Sequence, residues 1–77
     1  LMVSEAILPA IYPNPANDYF TIMLPEETTD VSITDIRGKI IKTWNGAGKT
    51  TVSTVNMNPG IYFVQVKNSI YKLLVSK

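Results

Sequence analysis

Apolar side chains fall at every second position in short runs, and this alternation constrains the fold more than any other feature of the chain. Phe20, Ile22 and Leu24 form one run, Val31 and Ile33 a second, and Tyr62, Val64 and Val66 a third within GIYFVQV. A period of two puts successive side chains on opposite faces of a strand, so each run offers one face to a core. Between the runs stand PEETTD, RGK, NGAGK, NMNPG and KNS, clusters of the Gly, Pro, Asn and Asp that end strands. The spacing predicts strands over residues 19–24, 31–36, 39–44, 50–55, 60–67 and 70–76, with an extra one somewhere in residues 3–12. No helix of useful length fits. The expected fold class is all-β: a small antiparallel β-sandwich, immunoglobulin-like, with six to seven strands.

Local chemistry sharpens several of these elements. VSITDIRGKIIKTW reads as a hairpin closed by Arg37, Gly38 and Lys39, with glycine supplying the positive φ of a tight turn. Asp35 and Ile36 break the alternation set by Val31 and Ile33, which predicts a bulge there. In NMNPG, Pro59 fixes φ and Gly60 suits the left-handed position of a type II turn, with Met57 tucked beneath it. GIYFVQVK is apolar on both faces and is expected at the centre of a sheet, with YKLLVSK as its hairpin partner. In IYPNPANDYF, Pro13 and Pro15 remove two backbone donors and extend the residues before them. Asn17 or Asp18 can then bond nearby backbone before the strand at Tyr19, so Pro13 to Asp18 are expected to shape the entrance to that strand.

Composition narrows the function classes. Seventy-seven residues make one thin-cored domain, since a chain this small buries only about 60% of its unfolded surface. Seven Lys and Arg against six Asp and Glu leave a charge of +1, without the basic clustering that nucleic-acid binding needs. No apolar run reaches the roughly 18–20 residues that span a bilayer, and LMVSEAILPA lacks the pattern of a signal peptide. The first residue is Leu1 rather than Met, which predicts a piece of a longer polypeptide, and Lys77 is expected to be a true chain terminus.

Candidate chemistry is sparse. NGAGKT ends like a phosphate-cradling loop, but five residues before Gly48 stands Thr43 rather than glycine, and no helix follows. With no His and no Cys, Ser-His and Cys-His hydrolysis are excluded and zinc loses its commonest ligands. Asn14, Asn17 and Asp18 are too few for a known calcium loop. Carboxylates at Glu5, Asp18, Glu26, Glu27, Asp30 and Asp35 fall mostly in turns. Among the aromatic residues, Trp44 beside a glycine-rich loop is the candidate for stacking on a sugar. Neither an enzyme nor a cofactor is expected.

Four motifs in order then carry a resemblance. Tyr12, Pro13, Asn14, Pro15 and Asn17 stand in the first; Asp35, Gly38 and Lys39 in the second; Gly60, Ile61, Tyr62 and Val64 in the third, with Met57 where leucine is usual; and Lys72, Leu74, Val75 and Lys77 in the last. Over residues 11–77 the chain resembles the type A C-terminal sorting domain of the type IX secretion system, with residues 1–10 as the end of a linker or a first edge strand. The resemblance implies a signal rather than a catalyst. Its cargo, N-terminal on the same polypeptide, would reach the periplasm through a Sec signal peptide, and the outer-membrane translocon would pass it to the cell surface. A sortase would then remove the domain and attach the cargo to lipopolysaccharide.

Within that role the terminal hairpin is the expected recognition surface. Tyr71, Lys72, Leu73, Leu74, Val75 and Lys77 are the candidate recognition residues, read by strand addition at a sheet edge. Tyr12, Pro13, Asn14, Pro15, Asn17, Asp35, Gly38, Lys39, Gly60, Tyr62 and Val64 are expected to build the fold, together with Val66. The short hinge from Lys67 to Ser69 also makes a homodimer by exchange of the last strand an expectation. Two rival readings are a carbohydrate-binding or adhesive sandwich and an immunoglobulin-like spacer.

Overall fold

A computed structural model describes residues 11–76. The strands are β1 (Ile11–Tyr12), β2 (Tyr19–Met23), β3 (Thr29–Asp35), β4 (Ile40–Gly46), β5 (Lys49–Ser53), β6 (Gly60–Val66) and β7 (Ser69–Val75). They form two antiparallel sheets, one of three strands in the order β1-β2-β5 and one of four in the order β4-β3-β6-β7. The all-β class with two antiparallel sheets is as expected. Residues 3–10 of the segment expected to hold an extra strand lie outside the described residues, while Ile11–Tyr12 are paired as β1.

The alternation works as an inward-facing code. Phe20, Ile22 and Val52 from the first sheet and Val31, Ile33, Tyr62, Val64, Val66, Leu73 and Val75 from the second share one buried cluster. Phe20, Ile22, Ile33, Val64 and Leu73 are sealed from solvent completely. Each such side chain stabilises the fold by roughly 1.5–3 kcal/mol relative to an exposed position. GIYFVQV lies between β3 and β7, the internal position its two apolar faces predict. Met57 is buried in the same cluster, as expected from its place under NMNPG.

Buried polar groups fix the connections between sheets. Thr54 is fully buried, its Oγ1 donating to the Asn17 carbonyl at 2.8 Å and its N–H to the Asp18 carbonyl at 2.9 Å. The Tyr62 hydroxyl donates to the Asn58 carbonyl at 2.6 Å, four residues upstream, so a core ring also ties the turn that leads into β6. Satisfying such groups matters because an unpaired buried polar group costs about 1–3 kcal/mol.

Several details depart from expectation: β4 runs on to Gly46 rather than ending at residue 44, and β5 stops at Ser53 rather than residue 55. β3 begins at Thr29 rather than residue 31, because Thr29 and Asp30 pair with Gly46 and Asn45 although neither is apolar. The irregularity in the β3–β4 ladder lies between Ile33 and Thr34, not at Asp35 and Ile36. Ile33 faces Lys42 and Thr34 faces Ile40, which leaves Ile41 as the extra residue on β4. Among the described residues β4 is an edge strand with no neighbour on its other side, and it can absorb an extra residue without disrupting a second ladder. Asp35 instead organises the turn: its Oδ1 accepts from the N–H groups of Arg37 at 2.9 Å and Lys39 at 3.0 Å.

Candidate functional site

β7 is terminal in its sheet and pairs along its whole length with β6, from Gly60 opposite Val75 to Val66 opposite Ser69. A two-residue connection, Lys67 and Asn68, joins the strands, with Lys67 at a φ of 55°. Alternation divides the candidate recognition residues. Leu73 and Val75 point into the core, and Tyr71 is half-buried against it. Lys72 and Leu74 point the other way, onto the outer face of the four-stranded sheet. Lys77 lies outside the described residues.

The outer edge of β7 is partly covered by the loop between β1 and β2. Asn14 donates from Nδ2 to the Lys72 carbonyl and accepts at Oδ1 from the Leu74 N–H, both at 3.0 Å. Its carboxamide thus stands where the peptide group of a neighbouring strand would stand. Two residues on, the Ala16 N–H donates to the Leu74 carbonyl and the Ala16 carbonyl accepts from the Ser76 N–H, both at 2.7 Å. This makes a parallel bridge between Ala16 and Val75, and Ala16 is fully buried. The peptide bonds before Pro13 and Pro15 are both cis. Asn14 and Ala16 occupy four outward backbone groups from Lys72 to Ser76. By the same alternation, the N–H and C=O of Ile70 and the N–H of Lys72 form the remaining outward stretch.

The other motif residues sit apart from this strap. Asp35, Gly38 and Lys39 close the β3–β4 hairpin, Gly38 at a φ of 87°. The Lys39 backbone N–H, ahead of the Arg37 N–H and guanidinium, holds the Asp35 carboxyl below its ordinary range, against an opposing push from desolvation. Gly60 takes a φ of 150° at the start of β6, a conformation that L side chains rarely adopt. Tyr12 is exposed in β1, and Asn17 contributes its carbonyl to Thr54. Tyr62 and Val64 are core.

Trp44, the stacking candidate, packs half-buried against the core, and its indole N–H has no hydrogen-bond partner among the described residues. A Cβ on Gly46 would come within 3.2 Å of that nitrogen and 3.1 Å of Leu24 Cδ1, so the ring is wedged against the β4–β5 connection. Among the described residues no group of three or more acidic side chains could hold a metal ion. Beside Ile61 of the third motif, residues that the motifs do not include contribute exposed apolar surface: Ile36, Ile40, Val55 and Ile70. For Ile61 and Ile70 the signal was present in the sequence, since both alternating sets in GIYFVQV and SIYKLLV are largely apolar while only one set can face the core.

Fold and site together define a small all-β domain whose β1–β2 loop and final strand are hydrogen-bonded to each other. The chain belongs to the secretion system C-terminal sorting domains, those of the type IX system, whose family model matches residues 10–77. No curated protein and no solved structure matches the chain.

Proposed function

We propose that the chain is the address of a secreted protein: a folded signal that carries an N-terminal cargo from the periplasm through the outer-membrane translocon of the type IX system. A sortase then cleaves the domain and the cargo is fixed at the cell surface or released. The observation that carries this reading is the family match over residues 10–77. The tie between its first and last motifs agrees with it, because Asn14 and Ala16 hold Lys72 to Ser76 in one fixed arrangement. A receptor-read address needs a stable surface and no chemistry of its own.

The immunoglobulin-like character of the sandwich belongs to the same proposal. Its support is the three-plus-four division of strands and the Tyr62 hydroxyl bonded four residues back, the geometry of a tyrosine corner. Exchange of β7 between two copies has its support in the two-residue turn that joins β7 to β6. A strictly monomeric species at high concentration would dismiss it.

The test is a fusion of residues 1–77 to a passive reporter behind a Sec signal, expressed in a bacterium that has the type IX system. The expected result is reporter at the surface or in the medium. Reporter retained in the periplasm while the fusion is folded and intact would sink the proposal.

A further inference from the structure

We propose that the outer face of the four-stranded sheet is the surface by which the secretion machinery reads this domain, and that it fits an apolar protein surface bearing carboxylates. The inference rests on the sorting function proposed above and names where and by what chemistry the domain is read.

The register places the patch. Ile61 lies opposite Leu74, Phe63 opposite Lys72 on one side and Thr34 on the other, and Thr34 opposite Ile40. Directly opposed residues share a face, so Ile40, Ile61, Phe63 and Leu74 lie together, with Lys72 among them. Val64 and Tyr62 point into the core, which sends Ile61 and Phe63 outward. Ile61 is 41% exposed, Leu74 39% and Ile40 60%, all displayed on one face of the sheet. Beyond Ile61 the face continues into a groove of about 370 Å³ between the β3–β4 turn and residues 58–61. Its walls include Ile36, Arg37, Lys39 and Pro59. Contiguous exposed apolar surface on a small domain marks an interaction site.

Charge selects the occupant. Lys72 has no carboxylate partner among the described residues, and Lys39 has none either. Asp35, the acid nearest the groove, is already engaged by Arg37 and by two turn N–H groups. Asp30, also on β3, accepts from the Asn45 amide at the far end of the sheet. The surface therefore offers aliphatic area with uncompensated ammonium groups, and a matching partner supplies apolar contacts and carboxylates. The covered edge of β7 adds to this: Lys72 and Leu74 have their outward backbone groups partly occupied by Asn14 and Ala16, but their side chains are displayed.

The reporter fusion tests the inference with Ile61→Ser, Leu74→Ser and Lys72→Glu, plus Tyr19→Ser on the other sheet as a control. Protease resistance of the fusion reports folding. Export is expected to fall about tenfold or more for Lys72→Glu and for Ile61→Ser, the loss of one interface hot spot, and to be kept by Lys72→Arg and Tyr19→Ser. Lys72→Glu changes only an exposed side chain, so it keeps the test valid if an apolar variant fails to fold. Full export of every patch variant beside an exported wild type overturns this inference and leaves the sorting function standing. A folded wild-type fusion that is not exported overturns both. A wild-type dimer that Leu74→Ser makes monomeric, with export unchanged, assigns the face to a second copy and overturns the inference.

Discussion

The two outer edges of the four-stranded sheet solve one problem in different ways. An open edge strand is a template for pairing with other chains. β4 protects itself locally: it carries the extra residue Ile41 and turns Lys42 toward the core side, opposite Ile33. β7 has no such device in its own sequence. Its cover comes from Asn14 and Ala16, about sixty residues earlier in the chain. Protection that is local survives changes elsewhere, whereas protection borrowed from a distant loop can be removed without touching the strand.

Leu73→Ala should break the comparison most severely. Leu73 is fully buried, so the change should cost about 2–5 kcal/mol, whereas Ile40→Ala on exposed β4 should stay within about 0.5 kcal/mol. Urea unfolding of the two variants measures the gap, and equal losses would mean that β4 contributes to the core as β7 does. Asn14→Ala should come next, costing about 1 kcal/mol because two exposed hydrogen bonds are lost. Amide exchange should quicken at Leu74 and Ser76 but not along β4; uniform protection would show that the strap does not cover the edge.

Acid should loosen the β4 side. The Asp35 carboxyl is held below its ordinary value in the folded chain, by the Lys39 N–H above all. Its stabilising contribution is therefore present above about pH 4 and lost as pH falls through the lower folded value. The urea midpoint should drop over that acid range, and Asp35→Asn should remove part of the slope; an unchanged slope would contradict this account. The smallest effect on stability is expected from Lys42→Val, within about 0.5 kcal/mol. Sedimentation should nonetheless show it self-associating, because the inward charge that blunts the edge is gone; a monomer at high concentration would argue that Ile41 alone suffices.

The sequence made one face of each strand legible through Phe20, Ile22, Val31, Ile33, Tyr62, Val64 and Val66, because period two is a local signal. Turn chemistry was equally local: Gly38 adopts the positive φ expected of it, whereas Gly60, expected in the left-handed position of a type II turn, opens β6 at a φ of 150°. Pairing across the chain was not legible: nothing in KTTVS announces that it lies beside YFTIM. The same limit hid the role of Asn14. Read locally, Pro13 to Asp18 shape the approach to β2, and Asn17 and Asp18 do so through Thr54, but the carboxamide of Asn14 answers to backbone that no nearby residue reveals. The bulge was misplaced for a related reason, since which strand yields depends on which one is an edge. For the candidate site, Leu73 and Val75 looked like their neighbours Lys72 and Leu74 until the core claimed them.

The bonds of Asn14 to Lys72 and Leu74 close loops of 58 and 60 residues. Contacts of such sequence separation carry a large closure entropy and do not form until the segments between have found their places. A chain made from its N-terminus cannot complete this tie before Leu74 exists, and completing the Ala16 bridge needs Ser76. A copy lacking residues 74–76 therefore lacks the clasp, and the loop from Pro13 to Asp18 is left without the strand it binds.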